Sequence, residues 1–168
     1  RSSDLLCCLA LIILLNFNTF TIILALGSMP MAFAYPLMKR FTYWPQLFLG
    51  ITFNYGLILG WTSIKSQVDL IPILFYIGAI FWTLGYDTIY GFQDIKDDEI
   101  IGLKSTSIKF KKKPNILLIS CYSIFLLNLL AIGYYMNLNK FSLALYVLIF
   151  FQMFYFQLKQ LNVNTPAI

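Results

Sequence analysis

Histidine is absent from the 168 residues of this chain. That removes imidazole acid–base chemistry, Ser-His triads and the usual zinc ligand sets from what the segment can supply. Cysteine is nearly as sparse: Cys7, Cys8 and Cys121 lie in apolar runs without Cys-x-x-Cys spacing. They read as small, inert thiols rather than a redox or metal centre. Charged residues make up only 11% of the chain, and carboxylates are the rarest of them. There are seven, and five fall between Asp87 and Glu99.

Apolar residues fill the space that charge leaves. The chain is 60% hydrophobic and 18% aromatic, with a mean hydropathy of +0.76, more apolar surface than a soluble domain of this size buries. The predicted fold is all-α, a polytopic membrane helical bundle forming one transmembrane domain over residues 1–168. About 20 apolar residues are needed for a crossing. Six candidate spans follow, roughly Leu5 to Phe17, Phe20 to Pro36, Pro45 to Ser63, Leu70 to Asp87, Pro114 to Met136 and Phe141 to Leu158. The first is short, and the sequence opens on Arg1 without a secretory signal pattern. The chain is therefore expected to be an internal piece of a longer protein.

Charge orients the spans. If connections alternate sides, one side receives Arg1, Lys39, Arg40, Lys96, Lys104, Lys109, Lys111, Lys112, Lys113 and Lys159, and the other only Lys65 and Lys140. Ten against two is a positive-inside signal, so the loops around residues 37–44 and 88–113 are expected to be cytoplasmic. The net charge of +5 thus reports topology and not nucleic-acid binding. The run Lys109 to Lys113 reads as an anchor against anionic headgroups.

The acidic cluster sits on that basic side, directly after an apolar span. Carboxylates there are costly unless a cation offsets them. If the helix from Leu70 continues through the cluster, Asp87, Tyr90, Asp94 and Asp98 fall on one stripe and Lys96 on the opposite face. Asp94 and Asp98, four apart, repel one another on that face, and a divalent cation converts the repulsion into coordination. Oxygen-only ligands without a dedicated cage suit Mg²⁺ that keeps waters and accepts phosphate oxygens. Downstream, Lys104, Ser105 and Thr106 offer an ammonium and two hydroxyls, and Lys39 and Arg40 add positive charge. Acids for metal and bases for phosphate, at the mouth of an apolar bundle, point to a diphosphate carried on a lipid tail. The competing readings are a solvated loop and, from another class, a channel or transporter whose acids bind a divalent ion.

Two stretches carry a resemblance. Tyr35-Pro36-Leu37-Met38-Lys39-Arg40-Phe41-Thr42-Tyr43-Trp44-Pro45-Gln46 is one, and Tyr86 through Thr106, with its Asp94-x-x-x-Asp98 pair, is the other. Together they resemble the intramembrane aromatic prenyltransferases of the UbiA superfamily, in the form of its hydroxybenzoate branch. The resemblance implies six of the nine transmembrane helices typical of that fold. It implies transfer of a polyprenyl group from polyprenyl diphosphate to the ring of 4-hydroxybenzoate in ubiquinone biosynthesis, with Mg²⁺ as cofactor. Asp94 and Asp98 would hold the metal. Tyr35, Lys39, Arg40 and Asp87 would be catalytic, and Lys39, Arg40, Tyr90 and Lys104 would bind the diphosphate. The aromatic residues Tyr55, Trp61, Phe81, Trp82 and Tyr86 are candidates for stabilising an allylic cation.

The same resemblance implies a bacterial inner membrane, no obligate protein partner beyond the lipid bilayer, and near rivals in the haem, menaquinone and chlorophyll branches. One departure stands out. The family's first aspartate-rich motif, of the Asn-Asp-x-x-Asp kind, does not occur here. The piece alone is therefore expected to be inactive.

Overall fold

A computed structural model describes residues 2–158. Arg1 and Lys159 of the charge tally, and the stretch 160–168, lie outside the described residues. All regular structure among the described residues is helical. In chain order the helices are α1 (Ser2–Leu14), α2 (Thr19–Phe41), α3 (Pro45–Asn54), α4 (Gly56–Lys65), α5 (Leu70–Gly91), α6 (Ile95–Ile101), α7 (Thr106–Phe110), α8 (Pro114–Tyr135) and α9 (Lys140–Phe151), the last running into a π-helical stretch, Gln152–Leu158.

Four segments are long and apolar enough to cross a membrane: Thr19–Phe41, Pro45–Lys65, Leu70–Gly91 and Pro114–Tyr135. The chain is an integral membrane protein. The other two expected spans are shorter apolar helices. Local chemistry sets the boundaries. Asn18 Oδ1 accepts the Thr21 N–H at 2.9 Å to start α2, Pro45 and Pro114 open α3 and α8 where a missing N–H does no harm, and Ser66 closes α4 in the left-handed region at φ 54°.

Three helix ends differ from the sequence expectation. α2 was expected to stop at Pro36, but it carries Pro30 and Pro36 inside it and runs on to Phe41, so residues 37–41 are helix and not loop. Internal prolines of this kind are tolerated in membrane helices, where neighbouring groups re-satisfy the freed backbone. The third span is broken at Tyr55, between α3 and α4. There Asn54 Nδ2 donates to Gly50 O at 2.9 Å, Ala79 O at 3.2 Å and Thr83 Oγ1 at 2.7 Å, and the Tyr76 hydroxyl donates to Ile51 O at 2.7 Å. Residues 88–113, expected as a long loop, hold the end of α5 and the short helices α6 and α7.

α5 is the central helix, packed between α3 and α8. Small residues allow the close approach, as in lipid, where van der Waals fit rather than water exclusion drives association. A Cβ on Gly50 would lie 2.9 Å from the Ile80 carbonyl oxygen, and one on Gly85 would lie 2.5 Å from the Tyr122 ring. Leu84, Leu117, Cys121, Tyr122 and Met153 form the buried cluster at this seam. The start of α2 docks on the end of α4, where Asn18 Nδ2 donates to Thr62 O at 2.8 Å and Thr21 meets Thr62 hydroxyl to hydroxyl at 3.0 Å. Lys65 therefore lies at one end of the bundle, and Lys39 and Arg40, in the last turn of α2, lie at the other.

Candidate active site

Four elements converge at the basic end. The last turns of α2 bring Tyr35 and Lys39, α3 opens with Pro45 and Gln46, α5 ends in Asp87, Tyr90 and Gly91, and the turn into α6 brings Asp94 and Asp98. These nine residues line a polar cleft of about 110 Å³. A larger apolar cavity of about 400 Å³, between Gly56, Trp61, Lys65, Pro72 and Met136, lies at the opposite end of the bundle and shares none of these groups.

The expected route to this cluster does not hold. α5 does not continue through the acids: it ends at Gly91, turns through Phe92 and Gln93, and restarts at Ile95 with Asp94 as the N-cap of α6. The reason is packing against Gly91. A Cβ there would stand 2.3 Å from Ser107 Oγ and 3.3 Å from Gln46 Nε2, so α7 and α3 close over a bare backbone where a continuing helix would have to pass. Asp87, Tyr90, Asp94 and Asp98 still share one cleft, because the chain folds back on itself.

Within the cleft the carboxylates differ. Asp98 is 7% exposed, and Lys39 Nζ lies 3.7 Å from its Oδ2. The Asp98 backbone is held on both sides, its N–H by Asp94 O and its carbonyl by Leu103 N–H, each at 2.8 Å. Asp94 is exposed and makes no side-chain capping hydrogen bond although it occupies the N-cap, which leaves its carboxylate oxygens for a ligand. Asp87 is half-buried between the charges of Lys39 and Asp94, with Tyr35 in electrostatic reach.

Arg40 and Lys104 do not line the cleft. Arg40 is exposed on α2. The Lys104 ammonium reaches the Phe41 carbonyl at 3.5 Å and stands 5.5 Å from the centre of the Tyr43 ring, while its backbone N–H donates to Lys39 O at 2.8 Å. Ser105 and Thr106, read from the sequence as phosphate-binding hydroxyls, are buried and engaged. Ser105 Oγ caps α7 by accepting Ile108 N–H at 3.2 Å, and Thr106 Oγ1 lies 2.8 Å from Thr88 Oγ1. Outside the cleft, Glu99 pairs with Lys111. Lys109 sits over the Trp44 ring at 4.4 Å, an interfacial use of the basic run. Of the candidate aromatic residues, Trp82 and Tyr86 meet edge-on at 5.0 Å, within the two turns of α5 that precede Asp87. Trp61 is at the far end of the bundle, donating to Asp69 Oδ2 at 2.9 Å.

Sequence reasoning missed Gln46, Gly91, Thr88 and Ser107. Gln46 Oε1 accepts the Thr106 N–H at 3.0 Å, and Ser107 Oγ donates to Thr88 O at 2.8 Å. The signal available was the small residue Gly91 beside an acidic run, which marks a close backbone approach.

The donor set is all oxygen. Asp94 and Asp98, the latter facing the Lys39 ammonium, are the residues of this set that could hold an oxygen-liganded divalent cation completing its shell from water and phosphate. Among the described residues, no three His, Cys, Asp or Glu side chains come close enough to hold a metal by themselves.

The chain matches the UbiA prenyltransferase family over residues 4–167. It is 52% identical over 103 residues to the human protein named 4-hydroxybenzoate polyprenyltransferase, mitochondrial, a match covering 61% of this chain and 28% of that protein. The Arabidopsis thaliana protein of the same name is 48% identical over 103 residues, covering 61% of this chain and 25% of the relative. A Lithospermum erythrorhizon protein named 4-hydroxybenzoate geranyltransferase 1 is 50% identical over 99 residues, 58% of this chain and 32% of the relative. The matched region thus spans a quarter to a third of each of these curated relatives. No solved structure matches the chain.

Proposed function

The chain belongs to the UbiA prenyltransferase family, and on that premise we propose that it forms part of a membrane enzyme transferring a polyprenyl group from its diphosphate to the ring of 4-hydroxybenzoate. The observation that carries this reading is the cleft itself, in which Lys39 stands among Asp87, Asp94 and Asp98 at the mouth of an apolar bundle. The names of the relatives supply the acceptor, and the resemblance read from the sequence adds a place in ubiquinone biosynthesis.

Asp94 and Asp98 are the residues that would hold Mg²⁺. When bound, the ion supplies charge neutralisation for the departing diphosphate. The side chains of the cleft do the rest. The Lys39 ammonium offers a point charge to phosphate oxygens. Tyr90, 58% exposed at the rim, offers a hydroxyl, and Tyr35 and Asp87 stand beside Lys39. Arg40 and Lys104 act from outside the wall, raising the positive potential that draws the anion in. No nucleophilic side chain is required, since the acceptor ring is itself the nucleophile, which accords with a segment lacking histidine.

The relatives named mitochondrial widen the expected bacterial inner membrane to include a mitochondrial membrane. The cleft would lie on the side that receives Lys39 and the lysines of residues 104–113. Incubating the full-length protein in membranes with Mg²⁺, a polyprenyl diphosphate and 4-hydroxybenzoate tests the reading. Ring-prenylated product is expected, and its absence while another aromatic acceptor is prenylated would move the protein to a different branch.

A further inference from the structure

Gln46 is only 4% exposed, yet it forms part of the cleft wall. Its carboxamide is fixed from one end. Oε1 accepts the Thr106 N–H at 3.0 Å, and because only the oxygen of an amide can accept, the NH₂ group must face the other way. That group lies against Gly91, 3.3 Å from where a Cβ would stand, and Gly91 is also part of the wall. Among the described residues Nε2 has no acceptor, and it is not one of the polar atoms sealed from solvent without a partner. A nearly buried carboxamide therefore keeps its NH₂ group beside Gly91 in the cleft wall, without a protein acceptor among the described residues.

We infer that Gln46 is an oxyanion-binding residue, its carboxamide N–H groups donating to an anionic oxygen of a substrate seated beside Lys39. A neutral donor suits this position. The cleft already holds three carboxylates, and another cation there would pair with them, whereas an amide tethered through its oxygen keeps its donors for the ligand. The inference rests on the prenyl-transfer reading for the identity of the anion, which is either a diphosphate oxygen or the carboxylate of the aromatic acceptor.

The test uses the full-length protein in nanodiscs and three variants. Gln46→Glu keeps the acceptor for Thr106 N–H and removes both donors. Gln46→Leu removes the donors without adding charge. Thr106→Pro deletes the N–H that Gln46 accepts, at the first position of α7 where proline fits, together with the hydroxyl that meets Thr88, and keeps the carboxamide donors themselves. Affinity for inorganic diphosphate and KM for polyprenyl diphosphate form one arm, and affinity and KM for 4-hydroxybenzoate form the other.

Loss of a hydrogen bond to a charged group predicts weakening of about 10- to 100-fold in one arm for both Gln46 variants, well beyond any loss in Thr106→Pro. The arm that moves identifies the anion. Variants that bind both anions within twofold of wild type, or a Thr106→Pro loss equal to theirs, overturn the inference and leave the proposed function standing. A wild-type protein that binds neither anion overturns both.

Discussion

Thr88 and Thr106 place their hydroxyl oxygens 2.8 Å apart, in a position where neither residue is exposed. Thr88 lies in the last turns of a membrane-crossing helix and Thr106 opens a five-residue helix beyond it. With Thr88 Oγ1 also within 2.6 Å of the Leu84 carbonyl and Ser107 Oγ on the Thr88 carbonyl, this contact fastens the segment carrying Asp94 and Asp98 to the rigid part of the bundle.

Thr106→Val removes one hydroxyl of that pair and keeps the shape. The expected cost is about 1 kcal/mol, because Thr88 retains its bond to Leu84. Thermal unfolding in detergent measures it. Prenyl transfer by the full-length protein is expected to fall less than about tenfold, since the Thr106 N–H on Gln46, the Ser107 bond to the Thr88 carbonyl and the backbone bonds of Asp98 still hold the segment.

Asp94→Ala and Asp98→Ala are each expected to lower prenylation of 4-hydroxybenzoate about 100-fold or more in the full-length protein. Membrane insertion and melting temperature should change little for Asp94→Ala, whose side chain is exposed and makes no cap. Product formation followed by mass spectrometry, with the protein quantified in the membrane fraction, checks both. Near-normal turnover in either variant would sink the metal assignment.

Gly91 in the cleft wall and Gly60 beside the apolar cavity differ in what surrounds them. Gly91→Ala drives a methyl against Ser107 Oγ and is expected to cost about 1–3 kcal/mol with loss of activity. Gly60→Ala meets nothing within 4 Å and is expected to stabilise by about 0.5–1 kcal/mol, as Ala does in an open helix position. Paired melting curves decide, and equal effects at the two sites would contradict the close approach at Gly91.

Sidedness is testable with cysteine. In a background where the exposed Cys7 and Cys8 are replaced by serine and the buried Cys121 is kept, Lys112→Cys and Lys65→Cys are expected to react with an impermeant maleimide from opposite faces of oriented vesicles. Labelling of both from the same face would refute the charge-based topology.

The sequence made the helices legible because membrane spans are long and uniformly apolar, and only the breaks within them were hidden. Tyr55 sits in a run as apolar as its neighbours, so the break after Asn54 depends on partners in α5 that are 25 and 29 residues away in sequence. The candidate site was legible where its chemistry is charge. Asp94, Asp98 and Lys39 stood out against a chain with few ionisable groups. Gln46 did not, because a single amide after a proline has no signature until the fold brings Thr106 to it. The helical stripe reached four residues that do share one cleft, but by a geometry that the structure replaces with a turn, since spacing alone cannot register the closing of α7 against Gly91.

The break at Tyr55 bears on how the protein is made. The carbonyl of Ile51 and the side chain of Asn54 are satisfied by Tyr76, Ala79 and Thr83 of α5, a helix that emerges from the ribosome only after α3 and α4. Until it arrives, the Ile51 carbonyl would lack the Tyr76 hydroxyl, and Asn54 would keep only its bond to Gly50 within an apolar span. Biogenesis would then have an order: α3 and α4 are expected to reach their final bend only in the company of α5, and a chain arrested between Lys65 and Leu70 to hold a straighter span in the membrane.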